Sequence, residues 1–253
     1  MLVQPGTLIS AGCPAGKDPI FGLQNLNHYS DPSLSALIFH TGVDLKEILP
    51  IKGAQKMEQP DPAYAMQYLP EAFNGLGGYG FPETNRFMMY DADPVPFQVE
   101  RTIGLVISTP GPFNNDQIFG LSKFSAFNTH WRVSTSTVTG GRITYGRQEV
   151  DLGEWPVLAS GVIGTDYIII VRQVSLEVHE FYLNSYKNPI MINPQDEYWV
   201  SNRVRLCLGR PFSTRSEAGV IIGPVFDCMS VISPQKIKEI VLFWSARTGI
   251  PIL

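Results

Sequence analysis

Cysteine is scarce and scattered in this chain of 253 residues: Cys13, Cys207 and Cys228 form neither a CxxC pair nor a dense framework. A disulfide scaffold is excluded, and buried free thiols are expected. No asparagine lies in an N-x-S/T sequon, and the first twenty residues lack a basic stretch followed by an apolar one, so no signal peptide and no secretion are expected. Long apolar runs are missing too. The best candidates, 167–171 and 237–244, fall far short of the roughly 18 residues that span a bilayer, and Lys238 and Glu239 interrupt the second. No run of five like charges occurs, and 19 Lys and Arg against 23 Asp and Glu leave a net charge of -4. Neither a phosphate-tracking stripe nor a polybasic membrane patch is present, so no direct nucleic-acid partner and no membrane partner are expected.

What the chain does have is apolar content: 44% of residues are hydrophobic and 17% charged, enough to bury a core and too apolar for disorder. Its texture changes near residue 96. Before that point Pro, Gly, Asn and Asp recur every few positions, which predicts an irregular arm region, 1–96, carrying short helices. Asp31-Pro32-Ser33 ahead of LSALIFHTG predicts a helix over 32–41, Asp61-Pro62 predicts another over AYAMQYL, and DLKEIL (44–49) suggests one further turn.

From 97 to 232 the pattern is one of β-branched and aromatic bursts separated by turn residues. No helical stretch separates consecutive bursts, so a parallel sheet is disfavoured. The fold class expected is mainly β, an antiparallel β-sandwich or jelly-roll-like core. Gly140-Gly141 predicts a two-residue turn joining the strands of a hairpin over 131–149. The last segment, 233–253, reads as a C-terminal helix with an apolar tail. Ser233 caps it, Pro234 starts it, Ile237, Ile240, Val241 and Trp244 form its apolar stripe, and Gly249 ends it.

Chemistry-bearing patterns are few. Asp91-Ala92-Asp93 after the burst 87–90 resembles the acidic pair with which several glycosyltransferases hold a divalent ion, implying a metal-dependent transferase; the resemblance covers three residues, and a solvated turn is the commoner use of such residues. The glycine-rich stretch 74–80 does not join a strand to a helix, so it is not a phosphate cradle. His28, His40, His130 and His179 are too dispersed for a sequence-local metal site. No cofactor, metal or catalytic residue is therefore expected. Tyr64, Tyr68, Phe73, Tyr79, Phe81, Phe87, Tyr90 and Phe97 could line a glycan groove, which makes a carbohydrate-binding β-sandwich the other alternative.

The reading these features favour is a non-catalytic structural subunit of a symmetric assembly, specifically a bacteriophage virion protein of capsid, neck or tail, assembled in the host cytoplasm. Its expected partners are copies of itself and other structural subunits. Thr135, Thr137 and Thr139 would form an exposed hairpin face for a neighbour, and Phe243, Ile250, Ile252 and Leu253 would need cover from another chain.

Overall fold

The computed structural model describes residues 34–38, 47–48, 50–52, 57–58, 67–69, 71–75, 78–80, 88–90, 95–96, 99–111, 117–123, 129–136, 140–147, 156–193, 203–209 and 220–253. In chain order they form β1 (Leu34–Ile38), β2 (Glu47–Ile48), β3 (Pro50–Lys52), β4 (Met57–Glu58), β5 (Gln67–Leu69), the single turn α1 (Ala72–Gly75), β6 (Gly78–Gly80), β7 (Met88–Tyr90) and β8 (Val95–Pro96). The longer elements follow: β9 (Arg101–Thr109), β10 (Gln117–Lys123), β11 (Thr129–Ser136), β12 (Arg142–Arg147), β13 (Val157–Ser160), β14 (Thr165–Gln173), β15 (His179–Leu183), β16 (Ile190–Ile192), β17 (Arg203–Leu208), β18 (Ile221–Cys228) and α2 (Pro234–Thr248).

Two antiparallel sheets result, and the protein is a mainly β sandwich with a C-terminal helix. The first runs β16-β15-β14-β9-β18-β1-β3, with β6 also on β18 and β5 on β6; the second runs β13-β12-β11-β10-β17-β7-β4-β2, with β8 also on β17. Alternation decides what each face buries. Ile103, Leu105 and Ile107 of β9 and Tyr167, Ile169 and Val171 of β14 point between the sheets. There they meet Phe119, Leu121, Trp131, Val133, Ile143, Tyr145, Leu206 and Leu208 from the second sheet. The intervening residues Val106, Ile168, Ile170 and Phe226 point the other way and meet Ile237, Ile240, Val241 and Trp244 of α2. The unbroken run Ile168–Val171 is thus apolar because its strand is covered on both faces.

The helix forms as its sequence predicts. The Ser233 side chain accepts from the Lys236 N–H at 3.2 Å, and Gly249 closes it in the left-handed region at φ 78°. On the sheet beneath, Gly104 leaves the space that the Phe226 ring fills, so that a Cβ at 104 would run into that ring. Phe226 in turn lies 5.7 Å from Trp244, ring centre to ring centre. Phe73, in the single turn α1, plugs the same layer and sits against Gly223, where a Cβ would come within 2.9 Å of its ring. Gly223 and Pro224 fall where the pairing of β18 with β9 shifts between Ile222 and Val225, which accommodates a proline that cannot donate to the ladder.

Several local expectations are corrected. The stretch 32–41 contains β1, not a helix: Leu34 to Ile38 pair with Cys228 to Val225 of β18, and β3 pairs on the other side. The Pro and Ser that can start a helix serve equally to enter a strand, and the long edge of β18 supplies the partner that local propensity cannot anticipate. The segments read as helical at 44–49 and in AYAMQYL contain β2, which pairs with β4, and β5, which pairs with β6. Strands from before residue 97 enter both sheets. The hairpin of β11 and β12 forms, yet its last pair among the described residues is Ser136 with Arg142, a register in which Gly140 and Gly141 are not the two central residues of a two-residue turn. Gly140 and Gly141 do hold positive φ, 80° and 73°, and their carbonyls accept from Ile163 and Gly161, tying the connection to the end of β13.

Candidate functional site

The outer face of the second sheet has a different chemistry from the other layers. On β11, Trp131, Val133 and Thr135 turn inward, leaving Arg132, Ser134 and Ser136 outward. Register then assembles rows across the face. Gln117 pairs with Ser134, and Ser134 with Thr144; Gly120 pairs with Arg132, and Arg132 with Gly146; Ser136 pairs with Arg142, and Arg142 with Ser160. A register shift between Gln117 and Phe119 lets Ile118 join Phe119 in the core while Gln117 stays outside. Gly120 admits its neighbour closely, because a Cβ there would lie 2.9 Å from the Arg132 Cα.

Two of these groups are buried without hydrogen-bond partners among the described residues. Gln117 is 3% exposed and Ser134 2%; both amide atoms of the first and the hydroxyl of the second have no partner there. Leaving such a group unsatisfied costs about 1–3 kcal/mol, so their placement calls for a functional reason. The face opens away from this row: Arg132, Ser136 and Arg142 are half-buried, and Ser160 and Gly161 are exposed. Strands β10, β11, β12, β13 and β17 carry six cationic residues, Lys123, Arg132, Arg142, Arg147, Arg203 and Arg205, and no Asp or Glu, while β2 and β4 of the same sheet bring Glu47 and Glu58. The arrangement offers amide and hydroxyl groups between guanidiniums, a chemistry for hydroxyls and anions.

A second polar cluster lies inside the sandwich. The Trp131 indole N–H donates to Gln173 Oε1 at 3.0 Å, the Tyr145 hydroxyl and His179 Nδ1 share a hydrogen bond of 2.8 Å, and the Arg101 Nε donates to Asp227 Oδ1 at 2.8 Å. All six residues are at most 2% exposed. With the Tyr145 and His179 rings 5.5 Å apart, the Trp131–Gln173 and Tyr145–His179 pairs join one sheet to the other, whereas Arg101 and Asp227 both belong to the first. On the outer side of the first sheet, Arg172 and Glu180 form an ion pair and the Tyr182 hydroxyl donates to Glu180 at 3.0 Å. Burial pushes the Tyr182 phenol above its ordinary pKa, against the hydrogen bond from Arg172.

The residues singled out in the sequence are placed elsewhere. Thr135 is buried in β11 facing the core beside Ile143, not exposed on a hairpin, and Thr137 and Thr139 lie outside the described residues. Ile250 is 2% exposed within its own chain, Ile252 and Phe243 pack against the helix layer, and Leu253 is 83% exposed with its N–H donating to the Asn184 carbonyl. Asp91 and Asp93 lie outside the described residues, and among those residues no group of three or more His, Cys, Asp or Glu gathers to hold a metal. Of the aromatic segment, Phe73 is core. The residues missed were Gln117, Arg132, Ser134 and Arg142. The signal that could have found them is the alternation of Trp131, Val133 and Thr135 with Arg132, Ser134 and Ser136.

No protein-family model matches the chain, and no curated protein does. Its fold is that of known β-rich structures. Trypanosoma rangeli sialidase superposes with a TM-score of 0.63 at 10% identity, covering 85% of this chain and 33% of the sialidase. The receptor binding domain of botulinum neurotoxin D gives 0.57 at 11% identity, over 83% of this chain and 52% of that one. The binding domain of Paraclostridial Mosquitocidal Protein 1 gives 0.58 at 9% identity, over 82% and 51%. This chain therefore spans about a third to a half of the structures it resembles.

These likenesses correct the expectation of a virion structural subunit, since they lead to a sialidase and toxin binding domains and not to a capsid, neck or tail protein. One part of its physical premise fails as well. The apolar tail said to require a neighbour has Ile250 covered by its own helix layer.

Proposed function

We propose that the protein is a carbohydrate-binding module, taking its ligand on the outer face of the second sheet. The observation that carries this reading is the buried row of Gln117, Ser134 and Thr144, with two of its side chains lacking partners among the described residues and with Arg132 and Arg142 on either side of it. Sugars present dense sets of hydroxyls that both donate and accept, and amide and hydroxyl side chains on a rigid sheet match them with little ordering cost. The likenesses add support at the level of fold: one of the superposed structures is the sialidase in complex with sialic acid, and two are receptor-binding or binding domains of toxins.

A glycan array probed with the purified full chain tests the proposal. Saturable binding to a defined set of saccharides, competed by the free sugar, is the expected result. Absence of saturable binding to every saccharide class on the array would remove the reading.

A further inference from the structure

The geometry points to a second copy of this chain as the partner of the free edge of β16, so that the first sheet continues across a two-fold axis into its neighbour. Among the described residues no strand lies beyond β16 in the first sheet or beyond β13 in the second. Both edges lie on one flank of the sandwich. The Tyr145 ring of β12 lies 4.9 Å from Phe181 and 5.5 Å from His179 of β15, centre to centre, and Trp131 of β11 bonds to Gln173 of β14. Since β12 thus faces β15, the next strand of each sheet ends it on the same side. The Tyr145 N–H donates to the Pro156 carbonyl, which sets the start of β13 opposite the pair of Phe181 with Ile190. Pro156, Val157, Ile190 and Met191 are exposed there, Met191 at 53%.

An open edge presents N–H and C=O groups ready for another strand, and proteins that stay single guard such edges with charges or bulges. The second sheet has such a guard, because the register of β13 shifts between its pairings with Ile143 and Thr144. β16 has neither device: its register with β15 is unbroken, and no charged residue occurs in 188–195 or, along the neighbouring edge, in 155–165. A two-fold axis brings a charge close to that axis against its own copy, so an uncharged edge suits self-association. Glu180, which pairs with Met191 from β15, is already neutralised by Arg172.

Symmetry also fixes the register. Residues paired across an antiparallel ladder share a face, so a two-fold normal to the sheet must pass at a residue and not between two. The strand Ile190-Met191-Ile192 reads the same in both directions. Centred on Met191, the pairing sets Ile190 against the partner's Ile192, and Pro189 and Pro194, which have no N–H to donate, bound the ladder at its two ends. The same rotation leaves the outer faces of both second sheets on one side of the dimer. On the module reading above, two polar faces would then meet a surface-displayed ligand together, although the pairing stands without that reading.

Sedimentation velocity of the full chain over a concentration series reads the pairing directly. A reversible monomer–dimer equilibrium is expected, and Met191→Lys, which sets two ammoniums against each other at the axis, should shift it toward monomer by about ten-fold or more with the thermal melting profile unchanged. Leu242→Lys, at a side chain of α2 that is 42% exposed, should leave the equilibrium as it is. Met191→Cys keeps the edge uncharged and reports the register. Paired Cα atoms on an antiparallel ladder lie about 4.5–5.5 Å apart, within reach of a disulfide, so mild oxidation should yield a covalent dimer where Leu242→Cys yields none. A chain that stays monomeric up to about 0.5 mM overturns the proposal, even if a different protein occupies the edge. A dimer that Met191→Lys leaves intact, or that Met191→Cys does not cross-link, overturns it as well, since another surface would then hold the copies. These assays contain no saccharide, so failure of the module reading on the array leaves their outcome unchanged.

Discussion

On the helix side of the sandwich, the outward residues of the first sheet are Val106, Ile168, Ile170 and Phe226, and α2 lies over them with Ile237, Ile240, Val241 and Trp244. On the opposite side, the outward residues of the second sheet are Gln117, Arg132, Ser134, Arg142 and Thr144. Both sheets obey the same two-residue alternation and share one inner core, so the contrast lies entirely in which residues the sequence assigns to the outward positions. Where those are apolar, the chain supplies its own cover. Where they are polar and cationic, burial without bonding leaves groups whose satisfaction has to come from elsewhere.

The sharpest way to break the contrast is to open the helix layer. Trp244→Ala should lower the unfolding free energy by about 3–5 kcal/mol in urea titration, since a fully buried indole ring is removed and its cavity persists. A loss under about 1 kcal/mol would mean that the helix is not what seals this sheet. Next in size is Gly104→Ala, which forces a methyl group into the Phe226 ring and should cost about 1–3 kcal/mol by overpacking. Thermal melting is sufficient to read it, and an unchanged melting temperature would contradict the packing described. Smallest is Ser134→Ala on the other face. Removing a buried hydroxyl without a partner among the described residues should raise stability by about 1 kcal/mol, as its desolvation cost is relieved, while weakening saccharide binding several-fold. A large stability loss with binding intact would make the polar face a structural layer.

Much of this architecture is legible in the sequence where local chemistry and global position agree. The C-terminal helix carries its cap, its proline, its apolar stripe and its terminal glycine within 17 residues, 233–249, and each does what its chemistry dictates. The double-sided burial of β14 follows from a run of four apolar residues, 168–171. Less legible were β10, whose alternation is broken by Gly120 and by the displaced Ile118, and β1, whose strand state depends on the distant β18. The polar face was hidden by a question of phase. Thr135 was grouped with Thr137 and Thr139 as one exposed stripe, although Trp131 and Val133, at the same parity, already assign Thr135 to the core. Which residues stand beside Ser134 is a matter of register between strands, and no single segment encodes it.

Asn184 has one more consequence. In a left-handed conformation at φ 47°, it accepts the Ile168 N–H on its side chain at 2.6 Å, donates to the Asp166 carbonyl at 3.1 Å, and receives the Leu253 N–H on its own carbonyl at 2.7 Å. Leu253 is thus latched to the hairpin of β14 and β15 by one backbone bond, with its exposed side chain adding little. Mechanical tension entering at Leu253 would meet that single bond first. The helix layer would then peel from its end, one turn at a time, and the nine paired positions between β14 and β9 would carry load only after it had gone.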